Sequence, residues 1–218
     1  NKDSILKNSD RRVQRFSRYN QVNFLQKIRF KPNEHWDLQY SFTHARTGDA
    51  PRYDRLIQYR NGSLRFAEWN YGPMSWDMHT LNILHSGKTG IYDDARLTAA
   101  IQDYEESRID RTRNNNNRNK QTEQVDAFSA NWDATKDIGK GQLFYGLEYV
   151  HNKVGSFGER TNISDGSISP MVSRYPNGST WNTAGIYGSY KINLLPKLTL
   201  SAGLRYSHNR LHAAFDTT

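Results

Sequence analysis

Hydrophobic and polar residues alternate one by one through much of this 218-residue chain. The alternation is cleanest near the C-terminus. Ala184, Ile186, Gly188, Tyr190 and Ile192 share one side, and Gly185, Tyr187, Ser189 and Lys191 the other. Asn193 to Lys197 reads as a turn, because Pro196 cannot continue a ladder. Leu198, Leu200, Ala202, Leu204 and Tyr206 then oppose Thr199, Ser201, Gly203, Arg205 and Ser207. A period of two predicts strands with two unlike faces. A second hairpin has Val22, Phe24, Ile28 and Phe30 on one face, a turn at 31–35, and then Trp36, Leu38, Tyr40 and Phe42. Further strands are predicted over 76–84, 95–106, 124–132 and 143–149, although Leu81-Asn82-Ile83-Leu84 blurs the parity of the first. The count is eight.

Connections sort by length. Short turns near 33, 89, 138 and 195 alternate with long loops over 44–75, 108–121 and 152–180. Within the first long loop, Asn61-Gly62 predicts a small hairpin of its own. Residues 1–18 read as a loop or strand end. Sorted up-and-down connections predict an all-β fold: an antiparallel up-and-down transmembrane β-barrel of about eight strands, forming one domain across 1–218. In that arrangement the apolar face meets lipid and the polar face lines the lumen. Trp36 to Phe42 spans ~20 Å at strand rise, close to the ~25 Å apolar band of such a barrel. A soluble all-β carbohydrate-binding module would instead hide the apolar face in a sandwich core, and explains the aromatics but not the sorted loops.

Composition narrows the choice without closing it. No run of ~20 apolar residues exists, so no transmembrane helix is expected, which is silent about barrels. There are no cysteines, so disulfides and thiolate metal sites are excluded. The net charge of +8 suits nucleic acid, anionic lipid headgroups or an anionic ligand. A nucleic-acid arm in 1–18 would need more aromatic interleaving than Arg11, Arg12, Arg15 and Arg18 have around them, so a solvated loop is expected and no nucleic-acid partner. Nucleophile elbow, phosphate loop and zinc spacing are all missing, so an enzyme is not expected, nor a cofactor or bound metal. Asp93-Asp94 and Glu105-Glu106 lack calcium-loop spacing and read as solvated or salt-bridged carboxylates. The seven His are scattered and suit rim or hydrogen-bonding roles.

Candidate ligand residues concentrate in the first long loop: Arg52, Tyr53, Arg55, Tyr59, Arg60, Trp69 and Tyr71. Tyr104, Glu106 and Arg108 lie near a strand's outer end. Arg beside aromatic rings suits an anionic or flat small molecule, or lipopolysaccharide phosphates. Tyr145-Gly146-Leu147-Glu148-Tyr149 and Ala202-Gly203-Leu204-Arg205-Tyr206 recur in equivalent strands, with Gly on the charged side as if another group passes closely there.

Several strings resemble the barrel of outer-membrane TonB-dependent receptors. They are Pro51-Arg52-Tyr53-Asp54-Arg55-Leu56, the stretch Leu64-Arg65-Phe66-Ala67-Glu68-Trp69-Asn70-Tyr71-Gly72-Pro73, Ile101-Gln102-Asp103-Tyr104-Glu105-Glu106-Ser107-Arg108, and Gly203-Leu204-Arg205-Tyr206-Ser207. The resemblance runs from about residue 19 to the end. It implies a 22-stranded barrel with an N-terminal plug, a segment that contacts the TonB complex, and ligand import driven by the inner-membrane proton gradient; the basic, aromatic mouth suits a ferric siderophore, haem or similar bulky anionic chelate as that ligand. It also implies a bacterial outer-membrane location among lipid and lipopolysaccharide. No plug domain is recognised in this chain, so it is expected to be a segment of the larger barrel wall. A passive outer-membrane pore is the alternative that needs no plug.

Overall fold

The computed structural model describes residues 3–213 and Phe215. Its long strands are β1 (Gln21–Phe30), β2 (Trp36–Thr47), β6 (Phe66–Ser86), β7 (Asp94–Thr112), β8 (Asn117–Ile138), β9 (Gly141–Asn162), β11 (Ser179–Leu195) and β12 (Leu198–His212). They pair antiparallel in the order β1-β2-β6-β7-β8-β9-β11-β12, so each strand lies beside its neighbours in chain order. Short strands β3 (Ala50–Pro51) and β10 (Ile168–Met171) add to β6 and β9. The remaining elements, helix α1 (Tyr53–Leu56) and hairpin β4 (Tyr59–Arg60)–β5 (Ser63–Leu64), belong to the β2–β6 connection. That hairpin turns at Asn61-Gly62 with both φ values positive, the geometry a two-residue turn demands.

The sheet is open. Among the described residues, β1 pairs only with β2 and β12 only with β11. The eight strands are therefore an arc of wall and not a self-closed barrel.

Register shows which residues share each face. One rung reads Phe30, Leu38, Ile83, Leu97, Trp132, Leu147, Ile186 and Tyr206. The adjacent rung, facing the other way, reads Arg29, Gln39, Asn82, Thr98, Asn131, Glu148, Gly185 and Ser207. Charges at this depth would be expensive against hydrocarbon. Arg29 bonds Asp37, Arg205 bonds Glu148 and Tyr187 bonds Asp133, all on this second face. The polar face is the lumen and the apolar face meets lipid.

Two aromatic girdles bound the lipid face. At the short-turn rim, Trp36, His85, Tyr92, Trp132 and Tyr145 form a chain of ring contacts with centroids 4.3–6.4 Å apart. The second, upper girdle lies toward the long-loop end, with Phe24, Phe42 and His79, and Phe128 beside Tyr149. One rung beyond Phe42, His79 and Phe128, at the level of Phe24, the same face turns polar: His44, Asp77, Asp103, Asp126 and Lys153.

Among the described residues no dry core sits behind this face. Leu204 and Tyr206 are 87% and 67% exposed, and the buried hydrophobic residues among those described are Ile109 and Ala134. That removes the soluble sandwich, which needs a second sheet packed over the apolar side.

The loop limits differ from those read in the sequence. β2 runs on to Thr47 and β6 begins at Phe66, so the 44–75 excursion shrinks to 48–65. The 108–121 loop is a four-residue turn, 113–116, and 152–180 contracts to 163–178 around β10. The reason is physical. β8 and β9 have 22 residues each, whereas a crossing takes about 9–11. Past the membrane both faces of the wall meet water, so hydrophobic alternation disappears while the ladder continues. The short turns remain at 31–35, 87–93, 139–140 and 196–197.

Candidate functional site

Above the upper girdle, β6 and β7 carry a lumen-facing cluster. Tyr71 and Arg108 are direct cross-strand partners, and the Arg108 guanidinium lies 5.1 Å from the Tyr71 ring centre. Trp69 packs edge-on against Tyr71 at 4.9 Å. Arg52 lies 5.5 Å from Trp69 and 5.1 Å from Tyr71, and Arg55 lies 5.3 Å from Trp69. The connection is pinned there because the Arg52 N–H donates to the Trp69 carbonyl at 2.9 Å. The ring faces attract these guanidinium groups through their quadrupole.

Charge in the cluster is only partly neutralised. Arg52 donates from Nε and Nη2 to Asp54 at 2.8 and 2.7 Å. That carboxylate raises the Arg52 pKa further above its ordinary range, and Arg52 holds Asp54 below the usual carboxylate range. The Nε groups of Arg55 and Arg108 are buried without a hydrogen-bond partner.

Five of the ten residues singled out from the sequence thus meet: Arg52, Arg55, Trp69, Tyr71 and Arg108. Tyr104 and Glu106 lie lower on the same lumenal face, with the Tyr104 hydroxyl donating to Glu106 at 3.0 Å. Tyr53 lines a cavity of about 530 Å³ between residues 3–16 and the start of β6, together with Ile5, Leu6, Phe16 and Phe66. Tyr59 and Arg60 are held in the β4–β5 hairpin, where Tyr59 is 72% exposed, and neither makes a ring contact with the cluster.

Three lumenal residues escaped sequence reading: Glu123, Ser156 and Arg174. The loop after β10 bends over the lumenal face. A side chain at Gly158 would meet the Met171 and Val172 carbonyls at 2.5 and 2.8 Å. The Ser156 N–H donates to Asn177 at 3.1 Å and the Tyr175 N–H to the Ser156 hydroxyl at 3.2 Å. Continuing the period-two count of β8 upward from Val125 would have placed Glu123 on this face.

Residues 3–18 carry no strand, and the segment is fastened at its start. Asp3 accepts from Arg111 Nη1 and Nη2 at 2.9 and 2.7 Å and from the Asn114 N–H at 2.6 Å. Arg111 holds the Asp3 carboxyl below its ordinary range. Asp93 pairs with Lys136 at 2.7 Å, and Glu105 accepts from Gln124 at 2.7 Å, so these carboxylates are engaged. His35, His44, His79 and His151 each hydrogen-bond a neighbour. Among the described residues no three His, Asp or Glu side chains gather as a metal centre.

The family described as "TonB dependent receptor-like, beta-barrel" matches residues 4–218. No curated protein sequence matches the chain. Among solved structures, the fold is similar to the copper transporter OprC at a TM-score of 0.72 and 11% identity, covering 90% of this chain and 29% of that one. It is also similar to the ferric citrate transporter FecA in its unliganded form, at a TM-score of 0.56 and 14% identity, covering 90% of this chain and 30% of that one. At such identities the likeness is one of fold. The chain thus spans less than a third of those structures' length.

Proposed function

Because the chain belongs to the TonB dependent receptor-like β-barrel family, we propose that it forms the outer-membrane wall and part of the mouth of an energised importer of a bulky anionic chelate. The lumen-facing meeting of Arg52, Arg55 and Arg108 with Trp69 and Tyr71 carries this reading. Guanidinium groups recognise carboxylate or catecholate oxygens, and the rings offer flat contact to a ligand's organic frame. A ferric siderophore or haem fits that chemistry. The copper and ferric citrate named for the two similar structures are in keeping with a metal or its chelate as cargo. Energy would come from the TonB complex through parts of the protein outside these strands, and lipopolysaccharide would surround the wall above the upper girdle.

The test is uptake of radiolabelled ferric chelates by cells carrying the whole gene, before and after collapse of the proton gradient. Uptake that stops on collapse supports energised import. Uptake that continues unchanged supports the passive pore instead.

A further inference from the structure

Glu123 is a carboxylate that the fold buries and leaves without a hydrogen bond. The residue is 4% exposed, its side chain 6%, and both carboxylate oxygens lack a donor. Arg174 approaches to 3.8 Å, too far for a hydrogen bond. Burying a carboxylate without a hydrogen-bond donor is costly, and buried polar groups left without one are rare. Directly opposite, on β7, stands Glu106, itself holding the Tyr104 hydroxyl. The rung therefore presents two carboxylates side by side on the lumenal face, flanked by Met74 and Ser156. Immediately below lies a cavity of about 400 Å³ lined by Trp76, Gln102, Tyr104, Val125, Ala127 and Asn152, all on that face.

We infer that Glu123, with Glu106, is a subsite for a protonated amine or guanidinium borne by the ligand. This rests on the reading of the mouth as the ligand's entrance. It changes the ligand class from purely anionic to amphoteric: acidic oxygens for the arginine cluster above, a cationic hydrogen-bond donor for the glutamates below. An organic cation fits better than a bare metal ion, because no third His, Asp or Glu completes a coordination set among the described residues. A cation with N–H groups also supplies the donors that Glu123 lacks. Arg174 is the built-in competitor: its guanidinium stands beside the carboxylate on the loop that covers it.

The full-length protein in detergent, titrated with 1,4-diaminobutane by calorimetry at low ionic strength, tests this without any energy coupling. Saturable binding is expected, weakened about tenfold in Glu123→Gln, the loss of one charge-assisted hydrogen bond. Arg174→Gln is expected to bind several-fold tighter, because the competing cation is gone. Tetramethylammonium, which has charge but no donor, is expected to bind more weakly than the diamine. If Glu123 merely anchors the loop, both variants bind the diamine equally and lose only thermal stability, and the inference falls. It also falls if magnesium displaces the diamine and binds more tightly. Failure of this titration with proton-gradient-dependent uptake intact would reject the amine subsite and leave the import reading standing.

Discussion

Tyr187 on β11 lies across Gly146 on β9 and donates its hydroxyl hydrogen to Asp133 on β8. A Cβ at position 146 would meet the Tyr187 hydroxyl at 2.5 Å and the Trp132 carbonyl at 2.6 Å. The missing side chain is what lets one strand reach over a second to a third. Tyr190 repeats the device on the lipid face, crossing Gly141 to donate to the Ile138 carbonyl at 2.8 Å. Such crossings tie three strands together where no packed core does so.

Gly146→Ala is expected to destabilise the barrel by roughly 1–3 kcal/mol, the usual penalty of overpacking. Tyr187→Phe is expected to remove the crossing hydrogen bond at a cost of about 1–2 kcal/mol. Because both act on one contact, the double variant should lose less than the two single losses combined. Urea unfolding of the detergent-solubilised protein measures this; additive losses would uncouple the two residues.

Leu81 and Thr80 are neighbours on β6 that face opposite ways. Leu81→Lys puts a charge into the middle of the lipid band and is expected to cost roughly 2–4 kcal/mol. Thr80→Lys puts the same charge into the wet lumen and is expected to leave folding into lipid vesicles nearly unchanged. Equal penalties for the two would reverse the assignment of faces.

At the mouth, replacing Arg52 and Arg55 together with Ala is expected to weaken uptake of a ferric chelate by roughly tenfold at low ionic strength. The gap should narrow as salt rises and screens the exposed charges. Equal uptake by variant and parent at low salt would remove both residues from the ligand path.

The Asp3–Arg111 clamp has a defined pH window. The folded-state pKa of Asp3 is depressed by Arg111, so its stabilisation is fully present above the unfolded value, about 3.9, and is lost as pH falls through the lower folded value. Protection of residues 3–18 from an acid-active protease should therefore persist from neutrality to about pH 4 and fail only below it. Arg111→Gln should abolish protection throughout that range. Release of the wild-type segment near pH 6 would mean that another group governs it.

The sequence was most legible where the two faces of a strand meet different solvents. Trp36 to Phe42 and Ala184 to Tyr206 alternate because lipid lies on one side and water on the other, so their parity matches the register found. At Leu84 the apolar residue faces the lumen, on the rung of Asp37 and Arg96, which is why parity blurred there. Higher up, Glu105, Arg108 and Asp110 meet water on both sides, and composition no longer separates strand from loop. The mouth was half legible for the same reason. Arg and aromatic residues could be recognised as a kind of chemistry, but only the cross-strand register joins Tyr71 to Arg108 and leaves Tyr59 in a separate hairpin. Glu123 looks like any polar residue until the loop carrying Arg174 is seen to cover it.

The orientation of the wall is tested most directly by a nitroxide scan along β9 of the full-length protein in lipid vesicles. Labels at Leu143, Leu147 and Tyr149 should be relaxed by oxygen dissolved in the bilayer. Labels at Phe144, Glu148 and Val150 should be relaxed by a water-soluble nickel chelate. A label at Leu147 that meets the chelate, or is shielded from both reagents, would contradict a lipid-facing apolar side.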